Sequence, residues 1–94
     1  MIGPQEVIYS CQSSTLSGFT YYALCVYRPR STRAQAVVAS WRADPHFPRQ
    51  IHTRDFLNFT LRHQQRATLY ERQVAGDIWQ SYLHWRRAQA KVAA

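Results

Sequence analysis

The stretch Asp44-Pro45-His46-Phe47-Pro48-Arg49-Gln50 separates two segments of helical periodicity and so decides how the chain folds. Pro45 disfavours the α region for Asp44, which predicts that the preceding helix ends there. Pro48 fixes its own φ and restricts Phe47, which predicts an extended segment. Phe47 is the one residue of the stretch that water would exclude. We predict that it fills the core where the chain reverses direction.

Apolar residues repeat at helical spacing on both sides of this stretch, which predicts an all-α fold, a small four- to five-helix bundle. The first helix is predicted to begin near the N-cap Ser17 and to stop at Pro29. The second is predicted to begin at Ser31 or Thr32 and to end at about Ala43. Their inward stripes are Phe19, Tyr22, Ala23 and Val26, then Ala34, Val37, Val38 and Trp41.

Two further helices are predicted after the central stretch. Thr53 is the predicted cap of a three-turn helix with Asp55 in its first turn, where the helix dipole favours an acid. Its predicted inner face is Phe56, Phe59, Thr60 and His63, with Leu57 and Leu61 beside it. The last pattern runs from about Arg66 to Ala90, with an inward stripe of Val74, Ile78, Tyr82 and Trp85. Gly76 is its weak point, since a glycine there costs about 1 kcal/mol relative to alanine.

The predicted helical domain occupies residues 18–90. Residues 1–17 show no helical period and are predicted to form an extended or flexible leader outside the core, in which Glu6–Cys11 alternates weakly. Residues 91–94 are a predicted frayed tail. The chain shows neither signal-peptide features nor an apolar run near the roughly 18–20 residues of a membrane span. We therefore expect a cytoplasmic protein without a membrane partner.

Charge is the strongest compositional signal. Twelve basic residues oppose five acidic ones, which gives a formal net charge of +7. Lys91 is the only lysine, and the other basic residues are arginines. Arginine binds phosphate in a bidentate manner and stacks on bases, so the composition favours DNA or RNA as a partner. A GC-rich genome would explain the excess of arginine over lysine but not the shortage of carboxylates.

The last predicted helix has a basic face. At about 100° per residue, one sector of roughly 160° contains Arg66, Arg72, Arg86, Arg87 and Lys91. Glu71 and Asp77 are predicted to point elsewhere, so that the sector holds no carboxylate. We predict a phosphate-binding surface here, and the alternative is an ordinary solvated helix face. A second predicted basic cluster lies at the first helix–helix junction and consists of Arg28, Arg30 and Arg33.

Catalytic and metal-binding patterns are not found in the sequence. The glycines are isolated, so no phosphate-binding loop is predicted, and Cys11 and Cys25 match no metal spacing. The histidines lack the neighbouring ligands or orienting groups of a metal or nucleophile site; they are His46, His52, His63 and His84. We predict a protein that is not an enzyme and needs no cofactor. Most aromatic residues lie on the inward stripes. Tyr21, Tyr70 and Trp85, the last residue of its stripe, have more freedom to be exposed.

Four motifs in order resemble the YozE family of small bacterial proteins: Gly18-Phe19-Thr20-Tyr21-Tyr22 with Arg28-Pro29, then Asp44 to Gln50, then Asp55 to Leu61, and finally Ile78-Trp79-Gln80-Ser81-Tyr82. Members of this family start with an aromatic-rich helix, have a central Phe-Pro with a basic residue and end with a Trp-x-x-Tyr pair. The resemblance covers about Gly18 to Trp85 and implies a helical bundle similar to the sterile alpha motif. The family has no established activity, and DNA binding has been suggested only from that similarity. The N-terminal extension and strong positive charge depart from the family pattern.

Two functions follow as hypotheses. The first is a nucleic-acid-binding module that contacts phosphates with little base specificity. The second is a protein–protein interaction module, since sterile-alpha-type bundles often associate through helix ends and surfaces. Phosphate binding weakens with salt and apolar association does not, which distinguishes them. The sequence predicts neither the natural partner nor the oligomeric state.

Overall fold

The computed structural model describes residues 15–64 and 66–93, and it is mostly helical. α1 (Gly18–Tyr21) continues as a π-helical segment (Tyr22–Val26) and is followed by α2 (Thr32–Ala43). A two-residue strand, β1 (Gln50–Ile51), precedes α3 (Arg54–Phe59), which continues as a second π-helical segment (Thr60–Gln64). α4 (Leu69–Ala93) completes the chain. The predicted helical bundle is confirmed at this level, and β1 begins at the last residue of the central stretch, for which an extended segment was predicted.

The end of the predicted leader belongs to the folded unit. Leu16 is buried in the core. Ser17 and Gly18 pair in parallel with β1, and the Ser17 N–H donates to the Arg49 carbonyl at 3.1 Å. Thr15 accepts a hydrogen bond at Oγ1 from the Arg49 guanidinium at 3.0 Å. The predicted boundary after residue 17 is therefore corrected, and the predicted extended segment Glu6–Cys11 lies outside the described residues.

The start of α1 depends on a glycine. Gly18 has a φ of 64°, in the left-handed region that side chains disfavour. A Cβ at this position would overlap the Ile51 carbonyl oxygen and lie 2.8 Å from His52 Nδ1. Ser17, the predicted N-cap, has the extended backbone of a cap, but its side chain caps none of the described N–H groups. Its Oγ lies 3.4 Å from His52 Nε2 instead.

Both predicted ends of α2 are confirmed. The Ser31 Oγ accepts a hydrogen bond from the Ala34 N–H at 3.0 Å, which caps the helix. The helix ends at Ala43, and Asp44 is extended as its position before a proline predicts. Near the end of α2, Arg42 Nη2 donates to the carbonyl of Leu24 in the last turn of the first helix, where carbonyls commonly lack an intrahelical partner. Arg42 therefore joins two helices.

The central stretch forms a turn. The Phe47 N–H donates to the Asp44 carbonyl at 3.2 Å, and the His46 N–H donates to Asp44 Oδ1 at 2.8 Å. The predicted extended conformation is therefore wrong for Pro45, His46 and Phe47, because Asp44 accepts hydrogen bonds through both its carbonyl and its carboxylate and closes a turn, whereas Asp44 itself and Gln50 are extended. Phe47 is buried in the core, as predicted. After the turn, the Pro48 carbonyl accepts a hydrogen bond from the buried Thr20 hydroxyl at 2.9 Å.

Aromatic rings form the centre of the core. Phe47 stacks on Trp41, with ring centroids 5.1 Å apart and planes at 13°. Phe19 lies 5.4 Å from Trp79 and meets Tyr82 edge-on at 5.9 Å. Phe19 also lies 6.2 Å from Trp41, so these contacts connect α1, α2, the central turn and α4.

The predicted inner face of α3 is correct for Thr60, and for Leu57 and Leu61 beside it, but wrong for Phe56 and Phe59. The predicted cap is confirmed, since Thr53 Oγ1 accepts a hydrogen bond from the Phe56 N–H at 3.1 Å. Phe56 and Phe59, however, are 40% and 51% exposed. The buried residues on this segment are Leu57, Thr60 and Leu61. Apolar residues occur on both sides of this helix, so its periodicity alone allows either face to be buried.

α4 begins at Leu69 rather than at Arg66. The Thr68 N–H donates to Glu71 Oε1 and the Glu71 N–H donates to Thr68 Oγ1, each at 3.1 Å. This reciprocal pair is a capping box. Arg66 precedes the helix with a φ of 49°. α4 then runs without a break through Gly76 and includes residues 91–93, which the sequence analysis assigned to a frayed tail. Its buried face contains Val74, Ala75, Ile78, Trp79 and Tyr82.

Candidate nucleic-acid interface

The predicted basic sector of the last helix is divided in the structure. Arg72 lies on the first half of α4, whereas Arg86 lies about fourteen residues, or roughly 21 Å of helix, further on. Arg66 lies in the connection before α4, so it does not share the helical face. Residues that share a sector when a helix is viewed down its axis can still lie far apart along that axis. Arg72 and Arg86 therefore do not form a common site.

A groove between α3 and α4 brings three guanidinium groups together. Arg54 and Arg62 line it from the α3 side, and Arg72 lines it from α4. The groove has a volume of about 760 Å³. Its other lining residues are Asn58, Gln73, Gly76, Asp77 and Gln80. We call this site the α3–α4 groove.

Two residues of the α3–α4 groove, Arg54 and Arg62, were not among the predicted site residues. Arg54 is the first residue of α3, Asn58 lies four residues after it, and Arg62 lies eight residues after it in the π-helical segment. Residues at this spacing lie on one face of a helix. That polar face is a signal that the sequence contains, and it lies opposite the inner face predicted for α3.

Arg72 is the most enclosed of the three arginines. Its side chain is half-buried, and its Nε is shielded from solvent without a hydrogen-bond partner among the described residues. An unpaired buried donor costs about 1–3 kcal/mol, and more when the group is charged. An anion that accepts this hydrogen bond would remove that cost. Arg54 approaches from the other side, where its Nη2 lies 3.2 Å from the position a Cβ would take at Gly76.

Asp77, which was predicted to point away from the basic sector of the last helix, also lines the α3–α4 groove. Its charge opposes those of three arginines, so the lining keeps a formal charge of +2. Arginine stays protonated throughout the physiological pH range. The groove therefore favours an anionic ligand at any such pH.

The second predicted cluster borders another cavity, which we call the junction cavity. Arg28 and Arg30 line this volume of about 610 Å³ together with Tyr22. Arg33 stacks its guanidinium on Tyr70, 5.3 Å from the ring centroid, and Tyr70 also lines the cavity. Burial raises the pKa of the Tyr22 phenol, while its hydrogen bond with Ser81 acts in the opposite direction.

The α3–α4 groove and the junction cavity are neighbours. Gln73 and Asp77 line both of them, so the two basic surfaces meet along the first half of α4. Five predicted or newly found arginines line these two cavities: Arg28, Arg30, Arg54, Arg62 and Arg72. The structure thus joins the second predicted cluster to Arg72, a combination that the sequence analysis did not make.

The last two turns of α4 make little contact with the core. All residues of 86–92 are exposed, including the predicted Arg86, Arg87 and Lys91. No acidic residue follows Asp77 in the sequence. Lys91 lies in the last turn of α4, where a cation interacts favourably with the helix dipole, so this residue has a structural explanation that needs no ligand.

Other site chemistry is sparse in the described part of the chain. Within residues 15–64 and 66–93, no group of three or more His, Cys, Asp or Glu side chains is placed to bind a metal ion. Cys25 is half-buried, and Cys11 lies outside the described residues. Tyr21 and Tyr70 are exposed as predicted, whereas Trp85 is half-buried. No helix in the same ranges combines the length and apolar content of a membrane span.

Comparisons of this chain with protein-family models, with curated proteins and with solved structures find no match.

Proposed function

We propose that this protein is a small basic helical module that binds nucleic acid through phosphate contacts, with the α3–α4 groove as its main site. The convergence of Arg54, Arg62 and Arg72 supports this proposal most directly. Guanidinium groups bind phosphate oxygens through paired, charge-assisted hydrogen bonds. The unpaired Nε of Arg72 adds a donor that an anion would satisfy. The proposed role is binding and not catalysis.

The neighbouring junction cavity extends the proposed interface. A phosphate backbone in the α3–α4 groove would pass Gln73 and reach Arg28 and Arg30 on the other side of α4. The exposed Arg86, Arg87 and Lys91 would provide a third contact region, further along the same helix. Phosphate contacts fix position without reading bases, so we expect little sequence preference.

We also propose that the bundle is related to the YozE family and to the sterile alpha motif fold. The support is the burial of aromatic residues from three of the four motifs that form the resemblance. Phe19 of the first motif, Phe47 of the second, and Trp79 and Tyr82 of the last pack into one aromatic core.

A salt titration of binding tests the proposed function. The variant Arg54→Gln/Arg62→Gln/Arg72→Gln removes the three groove charges. Each neutralised phosphate contributes about −0.9 to the slope of log K against log salt, so the slope should become flatter by roughly two to three units. The readout is fluorescence anisotropy of a labelled mixed-sequence oligonucleotide, with a melting curve to show that the variant is folded.

Arg42→Gln is the matched control. It removes an arginine that the fold already uses, since Arg42 donates to the Leu24 carbonyl. We expect a lower melting temperature and, below it, an unchanged salt slope. Absence of wild-type binding at about 50 mM salt, where phosphate contacts are strong, would refute the nucleic-acid proposal.

The second candidate function is protein–protein interaction, and the exposed rings of Phe56 and Phe59 favour it. Association through these rings would be apolar and would persist as salt rises. Self-association or partner binding that is insensitive to salt, without nucleic-acid binding, would support this candidate.

A further inference from the structure

Two phenylalanines on α3 face outward. Phe56 and Phe59 are 40% and 51% exposed, although phenylalanine is among the residues most often buried. The ring of Phe59 lies 4.8 Å from the ring of His63, with planes at 41°. We call these three residues the aromatic platform. The core is already filled by other rings, so packing does not explain the platform.

The aromatic platform adjoins the α3–α4 groove along one helical segment. Asn58, a groove residue, immediately precedes Phe59, and Arg62 immediately precedes His63. Neighbouring residues on a helix are about 100° apart around the axis and about 1.5 Å apart along it. The groove residues Asn58 and Arg62 therefore lie beside the exposed rings of Phe59 and His63, roughly a quarter of a turn away around the helix axis.

We propose that this combined surface binds single-stranded nucleic acid, with phosphates in the α3–α4 groove and an unpaired base stacked on Phe59 and His63. This inference rests on the proposed function and names its ligand class. A positively charged groove beside aromatic rings is the arrangement by which proteins hold single strands without reading their sequence. In a duplex the base faces are already stacked on each other, so a duplex cannot use the platform.

The positive charge of this surface favours nucleic acid over an apolar protein as its partner. A protein that covered the platform would also approach the arginines of the adjoining groove, whose lining has a formal charge of +2. Burying those guanidinium groups without anionic partners would be costly. A single strand supplies phosphates at a regular spacing beside bases with flat faces, so it satisfies both parts of the surface.

The test compares one mixed-sequence oligonucleotide as a single strand and as a duplex, with two substitutions at one position. Phe59→Leu keeps an apolar side chain but removes the ring, whereas Phe59→Tyr keeps a ring. Base–aromatic stacking predicts that Phe59→Leu weakens single-strand binding by about 5- to 100-fold. Duplex binding should be unchanged, and Phe59→Tyr should bind like the wild type. Leu69→Ala is the control, since Leu69 is also an exposed apolar side chain, at 63%.

The outcomes separate this inference from the proposed function. If neither single strand nor duplex binds in a salt-dependent manner, the proposed function fails and this inference fails with it. If both bind but Phe59→Leu has no effect on the single strand, only the stacking inference is overturned. If Phe59→Leu instead abolishes self-association in sedimentation and leaves single-strand affinity unchanged, the platform is a protein contact and the inference is overturned.

Discussion

At Gly18 two constraints act on a single residue. Its φ of 64° disfavours any side chain, and a Cβ would overlap the Ile51 carbonyl of the adjacent strand. A left-handed conformation alone costs an L-residue roughly 1–2 kcal/mol. We expect Gly18→Ala to lower the free energy of unfolding by more than that, because the obstructing atom belongs to the backbone. Urea unfolding measures this, and an unchanged midpoint would contradict the described pairing.

Gly76→Ala is the matched glycine substitution. Gly76 lies inside α4, and an added Cβ would meet only the far end of the Arg54 side chain, at 3.2 Å. Since Arg54 is exposed and flexible, we expect the alanine to stabilise the helix by up to about 1 kcal/mol. The same urea experiment should therefore show opposite signs at the two glycines.

Trp79 should be one of the largest contributors to stability. It is buried against Phe19 and Tyr82, so Trp79→Ala should lower the free energy of unfolding by about 3–5 kcal/mol. This is a large fraction of the stability of a small domain. Trp85→Ala, at a half-buried position on the same helix, should have a smaller effect. Equal melting temperatures for the two variants would contradict the assigned core.

At the scale of elements, Ser17 and Ser31 each precede a helix, but only Ser31 makes a side-chain capping hydrogen bond to a described N–H group. Ser31 accepts the Ala34 N–H, whereas Ser17 makes no capping bond to the described helix. Removing a capping hydroxyl typically costs about 1 kcal/mol. Ser31→Ala should therefore be more destabilising than Ser17→Ala in thermal melts. The reverse order would place the cap of the first helix at Ser17 after all.

The short segment before α1 also contributes to stability. Leu16 is buried, and Leu16→Ala should cost about 2–5 kcal/mol. Val92→Ala, which truncates a side chain that is 83% exposed, should change stability by less than about 0.5 kcal/mol. A neutral Leu16→Ala substitution would restore the original prediction that the segment through residue 16 lies outside the core.

At the scale of the whole molecule, the basic residues act as two regions along α4. One region is the groove set Arg54, Arg62 and Arg72, and the other is Arg86, Arg87 and Lys91. Along α4, Arg72 lies roughly 21 Å from Arg86. Effects of sites this far apart usually add. We expect glutamine substitution of either set to flatten the salt slope by about two to three units, and substitution of both to add the two changes. A combined change equal to that of one set alone would indicate a single continuous site.

The sequence by itself determined the helix positions to within a few residues. Pro45 ended α2, Ser31 and Thr53 supplied caps, and the periodic stripe of α4 identified its buried face. These are local effects, since a cap or a proline acts on residues within one turn. Phe47 was predicted to be buried for a similar reason, as the only strongly apolar residue in a polar turn.

Only the tertiary structure decided the face of α3 and the composition of the groove. Both sides of α3 carry apolar residues, so burial of Leu57 and Leu61 and exposure of Phe56 and Phe59 depend on which side packs against the bundle. Leu16 lies in the core because the next two residues pair with β1. Gly18 permits this pairing, since it has no Cβ to overlap the Ile51 carbonyl. Likewise, the α3–α4 groove unites arginines from separate helices, whose distance depends on how those helices pack. Periodicity describes one helix at a time and contains no information on that packing.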